Sequence, residues 1–386
     1  MGLFNLEKLA HLVSSRMGTL FIDYQRCSRV RSPLSNCSYC TNICPVDALS
    51  FNNNGIDIDR SCLDCGLCAG VCPTGALNTQ EPTELGLLEK IININTWQGT
   101  AVIGCEPQKA LAPKGVLISC LGCLSWELLL SLDAVSSTVY TVQSAEKCAT
   151  CPVAGGGEQF IKQLKTSRAI STSLGIPQGA IQILSKAPEI KAVNKTNTAN
   201  PSRRAFLSSI FSGAKQVPKS LINEVIADEP AELEQGIKIV EGTDTSRLRL
   251  LKQALKASLK GSLKKKPVAA YENSSEELKQ VDLASTCYFC TACSILCPLG
   301  AIKQTEDNKL ILDTGKCTGC NLCVEVCVHK SLTLVPSNLN QVIRSDKKVI
   351  AQGIEDKCQK CGQQMISSEA RKLCFICERN AQRQTI

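Results

Sequence analysis

Cys62, Cys65, Cys68 and Cys72 stand in the run C-x2-C-x2-C-x3-C-P, and Cys287, Cys290, Cys293 and Cys297 repeat it in the last third of the chain. Three thiolates two residues apart can bind three corners of one cubane from a single tight turn. The run is the bacterial way of holding a [4Fe–4S] cluster, and its fourth cysteine serves a neighbouring cluster. Soft thiolates select iron–sulfur or zinc over hard, oxygen-preferring ions. A proline after the last cysteine cannot continue the preceding structure and starts a new segment. Each run has a neighbour: Cys37, Cys40 and Cys44 lie upstream of the first, and Cys317, Cys320, Cys323 and Cys327 lie downstream of the second.

The other cysteines fall into groups too. Cys358, Cys361, Cys374 and Cys377 form two Cys-x2-Cys knuckles, the pattern of a zinc ribbon with a closed tetrahedral structural site. A rubredoxin-like iron is the alternative there. Cys105, Cys120, Cys123, Cys148 and Cys151 make a middle group, and with Cys27 the groups account for all 25 cysteines. A disulfide framework fits badly. It needs an oxidising compartment, whereas the odd cysteine count and an N-terminus without a basic leader and apolar run point to the cytoplasm.

The elements that must position these thiols can be sketched. In the middle region, residues 100–105, 115–120 and 137–142 read as buried strands, and 125–132 as a helix with Ser125 as N-cap. Strand–helix–strand order predicts a small parallel α/β layer, whose sites form beyond the carboxyl ends of the strands. All five middle cysteines would gather at that edge, where four could hold a further iron–sulfur cluster or zinc. Gly155–Gly157 lacks the spacing of a phosphate loop and reads as a turn. Short strands are expected after the Pro-x-x-Ala runs, at Ala48–Phe51 and Ala301–Lys303.

Residues 27–80 and 281–335 resemble bacterial dicluster ferredoxins, small βαβ-like halves around two cubanes. The middle cysteines more loosely resemble segments of accessory redox subunits. The resemblance implies ligand sets by position. Cys287, Cys290, Cys293 and Cys327 would hold one cluster, and Cys297, Cys317, Cys320 and Cys323 another. Cys44, Cys62, Cys65 and Cys68 would hold a third. The fourth would use Cys37, Cys40 and Cys72, with Leu34 where the family has its first cysteine. Cys27 is the candidate replacement; a three-cysteine site with Cys27 buried as a small hydrophobe is the alternative. Val328 stands where proline usually follows.

The chain therefore reads as an α+β multidomain protein. It comprises an N-terminal helix (1–26), dicluster module 1 (27–80), an α/β Cys-rich domain (97–165), a helical basic linker (166–270), dicluster module 2 (281–335) and a zinc ribbon (355–380). No stretch approaches the roughly 18 apolar residues of a membrane span. The net charge of +8 concentrates at 191–266, where the segment 246–260 carries leucines at helical spacing under a face of Arg247, Arg249, Lys252, Lys256 and Lys260. A solvated helix or a docking face for an acidic redox partner would produce this pattern. No aromatic platform for nucleic acid accompanies it. Ser202-Arg-Arg-Ala-Phe-Leu207 resembles a twin-arginine motif at an internal position, and a helix start capped by Ser202 is the plainer reading. His11 and His329 are the only histidines, and no flavin or nicotinamide fingerprint occurs.

The function expected is electron transfer through four [4Fe–4S] clusters, most simply as a non-catalytic subunit of an oxidoreductase. Its partner would be a redox protein or a catalytic subunit. The alternatives are a redox enzyme centred on the middle cysteines, or a maturation or scaffold factor for a redox enzyme.

Overall fold

The computed structural model describes residues 20–52, 55–79, 82–98, 100–135, 138–174, 178–188, 249–250, 275–337, 341–342 and 346–383. Residues 1–19 of the expected N-terminal helix, the Ser202–Leu207 motif and the basic segment 246–260 apart from Arg249 and Leu250 lie outside these. The chain divides into two compact units. One takes residues up to 22, 39–50 and 57–270, and the other takes 23–38, 51–56 and 271–386.

In the first unit, β1 (Leu20–Ile22) runs antiparallel to β4 (Leu77–Thr79). The N-terminal segment thus ends in a strand, not in the helix expected through residue 26. Its inward residues Leu20 and Ile22 are buried while Phe21 is exposed, the alternation of a half-buried strand. β2 (Leu49–Asn52) and β3 (Gly55–Ile58) pair as a hairpin, of which residues 51–56 are counted with the second unit.

The middle cysteines sit on a parallel sheet of order β6-β5-β7-β8, with β5 at Ala101–Cys105, β6 at Val116–Ile118, β7 at Val139–Val142 and β8 at Ile181–Leu184. The boundary expected at 165 is too short. The helix Gly156–Leu174 and β8 complete the layer, β8 pairing parallel with β7. The Asp133 carboxylate accepts the Ile181 backbone N–H at 3.3 Å and ties β8 to the helix Trp126–Val135.

That helix is apolar nearly all round. Leu128, Leu129, Leu130 and Leu132 are fully buried, so it is the spine of the unit. Truncating any of them to alanine is worth about 2–5 kcal/mol. Ser125 caps it as expected, its hydroxyl accepting the Leu128 N–H at 3.3 Å.

The short helix Leu67–Val71, between β3 and β4, packs directly on the 3-10 turn Leu121–Cys123. A Cβ at Gly70 would stand 2.7 Å from the Cys123 carbonyl oxygen, and one at Gly122 would stand 2.5 Å from Leu67 Cδ2. Two backbones meet where only glycine fits. The first cysteine run and the middle region are therefore parts of one unit.

In the second unit, β9 (Ser275–Leu283) pairs antiparallel with β12 (Leu332–Ser337), and β10 (Ile302–Gln304), β11 (Lys309–Asp313) and β13 (Lys347–Gln352) form an antiparallel sheet. The module expected at 281–335 thus starts earlier and gains a third strand from beyond its boundary. Val281, Ile302, Leu310, Leu312, Leu332 and Ile350 form the core around the cysteines. A hairpin of β14 (Ile354–Lys357) and β15 (Gln364–Ser367) and the helix Phe375–Arg383 close the chain.

Residues 23–38 belong to this second unit, although the sequence assigns Cys27 and Cys37 to module 1. The Arg31 guanidinium donates to the carbonyls of Leu296 (2.7 Å) and Ile295 (2.5 Å), and the Asn36 N–H donates to the Glu325 carboxylate at 3.1 Å. These anchors come from residues far apart in the chain and carry no local pattern.

Candidate metal centres

The three complete cysteine runs fold into one loop geometry. Counting from the first cysteine of each, the third and fifth residues are left-handed: Asp64 and Gly66, Phe289 and Thr291, Gly319 and Asn321, with φ between 49° and 74°. For residues other than glycine this conformation costs roughly 1–2 kcal/mol, so something must hold it. The turn aims backbone N–H groups at sulfur. Asp64, Phe289 and Gly319 donate to Cys62, Cys287 and Cys317, while Leu67 and Leu322 donate to Cys65 and Cys320. Such bonds favour a thiolate.

The fourth cysteines share a second device. The backbone N–H four residues on donates to the sulfur: Ala48 to Cys44 and Ala76 to Cys72 at 3.3 Å, Ala301 to Cys297 and Ser331 to Cys327 at 3.2 Å. The residue before each donor, namely Asp47, Gly75, Gly300 and Lys330, is left-handed. This is the physical content of the Pro-x-x-Ala runs. What matters is an N–H at that place, so Ser331 serves where alanine and the preceding proline are missing.

Electrostatic neighbour relations link the cysteines within each region, and Cys68 also neighbours Cys40. Cys44, Cys62, Cys65 and Cys68 are electrostatic neighbours in the first unit. Cys287, Cys290, Cys293 and Cys327 come together in the second, as do Cys297, Cys317, Cys320 and Cys323. Cys323 also feels Cys293, so these last two sets adjoin. Burial pushes the Cys293 and Cys320 thiols up to about 12, and those of Cys68 and Cys323 well above their ordinary value. Such thiols stay protonated until a metal displaces the proton.

The remaining four differ. Cys27 is buried at the start of the helix Ser28–Arg31 and lies with Cys37 in the second unit; Cys40 and Cys72 are buried in the first. The loop before Cys37 lacks the shared geometry, since Asn36 and Ser38 are not left-handed. Ser28 faces the Cys320 thiol, so the segment after Cys27 lies against the Cys317 run.

At the C-terminus, the sulfurs of Cys358, Cys361, Cys374 and Cys377 all lie within 4.8 Å of one another, with Cys361 and Cys374 at 3.8 Å. A single ion at Zn–S of about 2.3 Å sets tetrahedral sulfurs about 3.8 Å apart. The donor set fits, and the group could hold a metal. Backbone N–H groups pull the Cys358 thiol down to about 6, while burial and its neighbouring thiols push Cys377 up to about 12.

This hairpin braces the second cysteine run. The Ser368 hydroxyl accepts the Cys287 N–H at 2.9 Å, and the Ser368 N–H donates to the Cys287 carbonyl at 2.8 Å. The His329 ring stands 4.4 Å from Tyr288 and 4.1 Å from Phe375, centre to centre. Half-buried there, its imidazole is held below its ordinary value by desolvation. The histidine is part of a packed aromatic joint rather than of the surface.

Comparison with known proteins agrees with part of this geometry. Residues 35–76 match the model of the 4Fe-4S dicluster domain. The pyruvate synthase subunit PorD of Methanocaldococcus jannaschii is 37% identical over 49 residues, 13% of this chain and 57% of the relative. The chain therefore contains an iron–sulfur, ferredoxin-type dicluster domain related to PorD, which implies two [4Fe–4S] clusters. Cys27 lies outside the matched residues. Among the described residues, no helix is long and apolar enough to cross a membrane.

Proposed function

We propose that the chain is an iron–sulfur electron-transfer protein, or the electron-transfer subunit of an oxidoreductase complex, relaying electrons through four [4Fe–4S] clusters. The observation that carries this is the recurrence of one sulfur-holding geometry in both cysteine-rich regions, with left-handed residues at the same offsets and an N–H on each fourth sulfur. The second region has the same devices as the matched domain, which supports a second dicluster module. Cys27 then stands in for the absent first cysteine of the Cys37 run.

The clusters, when bound, supply one-electron chemistry. The protein's part is to bury the thiols, exclude water and aim N–H groups at sulfur, which together set the potential. The C-terminal quartet takes zinc in this proposal and keeps the Cys287 loop in place. A catalytic oxidoreductase subunit is the partner, by analogy with the relative named as a subunit of pyruvate synthase. The cytoplasm suits the chain, since thiols stay reduced there.

Anaerobic reconstitution should load about 16 irons in the two modules, from four cubanes, with about one zinc. The loaded chain should accept electrons from a low-potential donor and pass them to a redox protein without turning over a small substrate. Fewer than about eight irons after full reconstitution would reject two dicluster modules.

A further inference from the structure

The five middle cysteines are not equal candidates. Cys105 ends β5, Cys120 follows β6, and Cys148 and Cys151 follow β7. The order β6-β5-β7-β8 makes the chain step to one side of β5 and return on the other. That reversal opens a crevice beyond the carboxyl ends of the strands, where parallel sheets bind ligands. Four sulfurs meet there. Cys105 feels Cys148 and Cys151, and Cys120 feels Cys105 and Cys151.

Cys123 is turned elsewhere. Its neighbours are Cys120, Cys65 and Glu84, and it lines a separate cavity of about 290 Å³ with Phe21, Leu77, Leu87 and Leu124. It fills space as a small hydrophobe.

The crevice is shaped around sulfur. A Cβ at Gly156 would stand 2.6 Å from the Cys120 sulfur, and one at Gly157 would stand 3.1 Å from the Cys148 sulfur. The glycine run that the sequence offers as a turn is thus what lets the backbone close over two thiols. Gly156 also opens a helix of 19 residues, whose N-terminal end favours negative charge. Polar groups converge on the same atoms. The buried Gln108 amide donates to the Cys148 sulfur at 3.2 Å, and its oxygen accepts the Ser144 N–H at 3.0 Å, which fixes its orientation. The N–H groups of Gly122 and Gln108 serve Cys120 and Cys105.

We infer that Cys105, Cys120, Cys148 and Cys151 hold a further iron–sulfur cluster and that Cys123 does not. An all-thiolate donor set narrows the choice to iron–sulfur or zinc. Spacing favours the cluster. Among the described residues, the C-terminal quartet alone draws its sulfurs within 4.8 Å, as a single ion requires; the middle four are spread more widely, like the module quartets. Cys120 packs beside Cys65, so the centre adjoins the set of Cys44, Cys62, Cys65 and Cys68. Its use as a fifth station rests on the relay proposed above; its existence does not.

The test compares full-length, anaerobically reconstituted Cys105→Ala, Cys148→Ala and Cys123→Ala with the parent, reading iron, acid-labile sulfide and zinc per chain. The first two variants should each lose the same two to four irons with matching sulfide, about one cluster, and Cys123→Ala should lose none. Gln108→Leu should keep the iron but shift the midpoint potential of one centre only. Unchanged iron in both Cys105→Ala and Cys148→Ala, loss of zinc in place of iron, or iron loss in Cys123→Ala equal to theirs would overturn the inference. If one variant fails to fold, the other decides. These differences between variants are independent of whether the modules carry electrons.

Discussion

The loops around Cys62 and Cys287 lie in different units yet place left-handed residues at the same offsets, whereas the loop before Cys37 does not. The first two each have a cysteine at the head of the loop to receive the N–H of a strained turn. The third has Leu34 there, more than half exposed, and ordinary backbone follows. Strain is maintained where a sulfur repays it with a hydrogen bond and is relaxed where no sulfur stands. The comparison ties the paired left-handed residues of these loops to a cysteine at the head of the loop.

The sharpest way to break it is to remove the ligands on each side. Cys287→Ala should cost about one cluster, four irons, and so should Cys27→Ala if Cys27 serves in place of Leu34. Iron analysis with EPR of the reduced protein reads both. Unchanged iron in Cys27→Ala alone would mean that the Cys37 run works with three thiolates, as a [3Fe–4S] site would.

A smaller effect should separate the C-terminal quartet from the quartets proposed to hold clusters. Cys361→Ser should release about one zinc and loosen residues 354–383 to proteolysis, while the iron of the first unit stays in place. The Cys287 loop, braced by Ser368, should become more exchangeable by hydrogen exchange. Equal protection of that loop in parent and variant would deny the brace.

Backbone strain can be read directly at Lys330, which is exposed and left-handed with φ 53°. Lys330→Gly should stabilise the second unit by about 0.5–1 kcal/mol, since glycine takes this conformation without penalty. Asn36→Gly should destabilise by a similar amount, since backbone freedom is lost there without strain to relieve. Thermal unfolding with clusters loaded measures both.

The smallest effect concerns the pair between Asp282 and Lys348, at 2.7 Å, which ties β9 to β13. Burial alone would raise the Asp282 carboxyl, but the Lys348 hydrogen bond and charge with the Leu283 N–H hold it below 3.8. Its stabilisation is therefore present above the ordinary carboxyl value and lost as pH falls through the lower folded value. The pair is partly exposed, so Asp282→Asn should cost about 0–1 kcal/mol at neutral pH and little at pH 2.

Much of the thiol chemistry was legible because cysteine spacing is local. The runs at Cys62, Cys287 and Cys317 name their loops directly, and Ser125 and the strands leading to Cys105 and Cys120 were readable by cap and hydrophobic run, whereas Gly156 and Gly157, read as a turn, open a helix. What the sequence hid depends on long-range pairing. Nothing near Arg31 announces the carbonyls of Ile295 and Leu296, and nothing near Ile181 announces that it extends a sheet begun at Ala101. The left-handed Phe289 and Thr291 were hidden for another reason: side chains of that size rarely adopt such backbone, and only the demand for an N–H at sulfur explains them. The Pro-x-x-Ala runs were visible, but their meaning was not, because the donor is a backbone atom that any residue but proline carries.

The most direct test of the relay is a coulometric reductive titration of the fully loaded, anaerobic chain, with EPR at each step. Four cubanes, each taking one electron, predict uptake of about four electrons per chain, or five with the middle centre. Uptake of no more than two electrons by a chain holding its full iron would contradict a multi-cluster electron carrier.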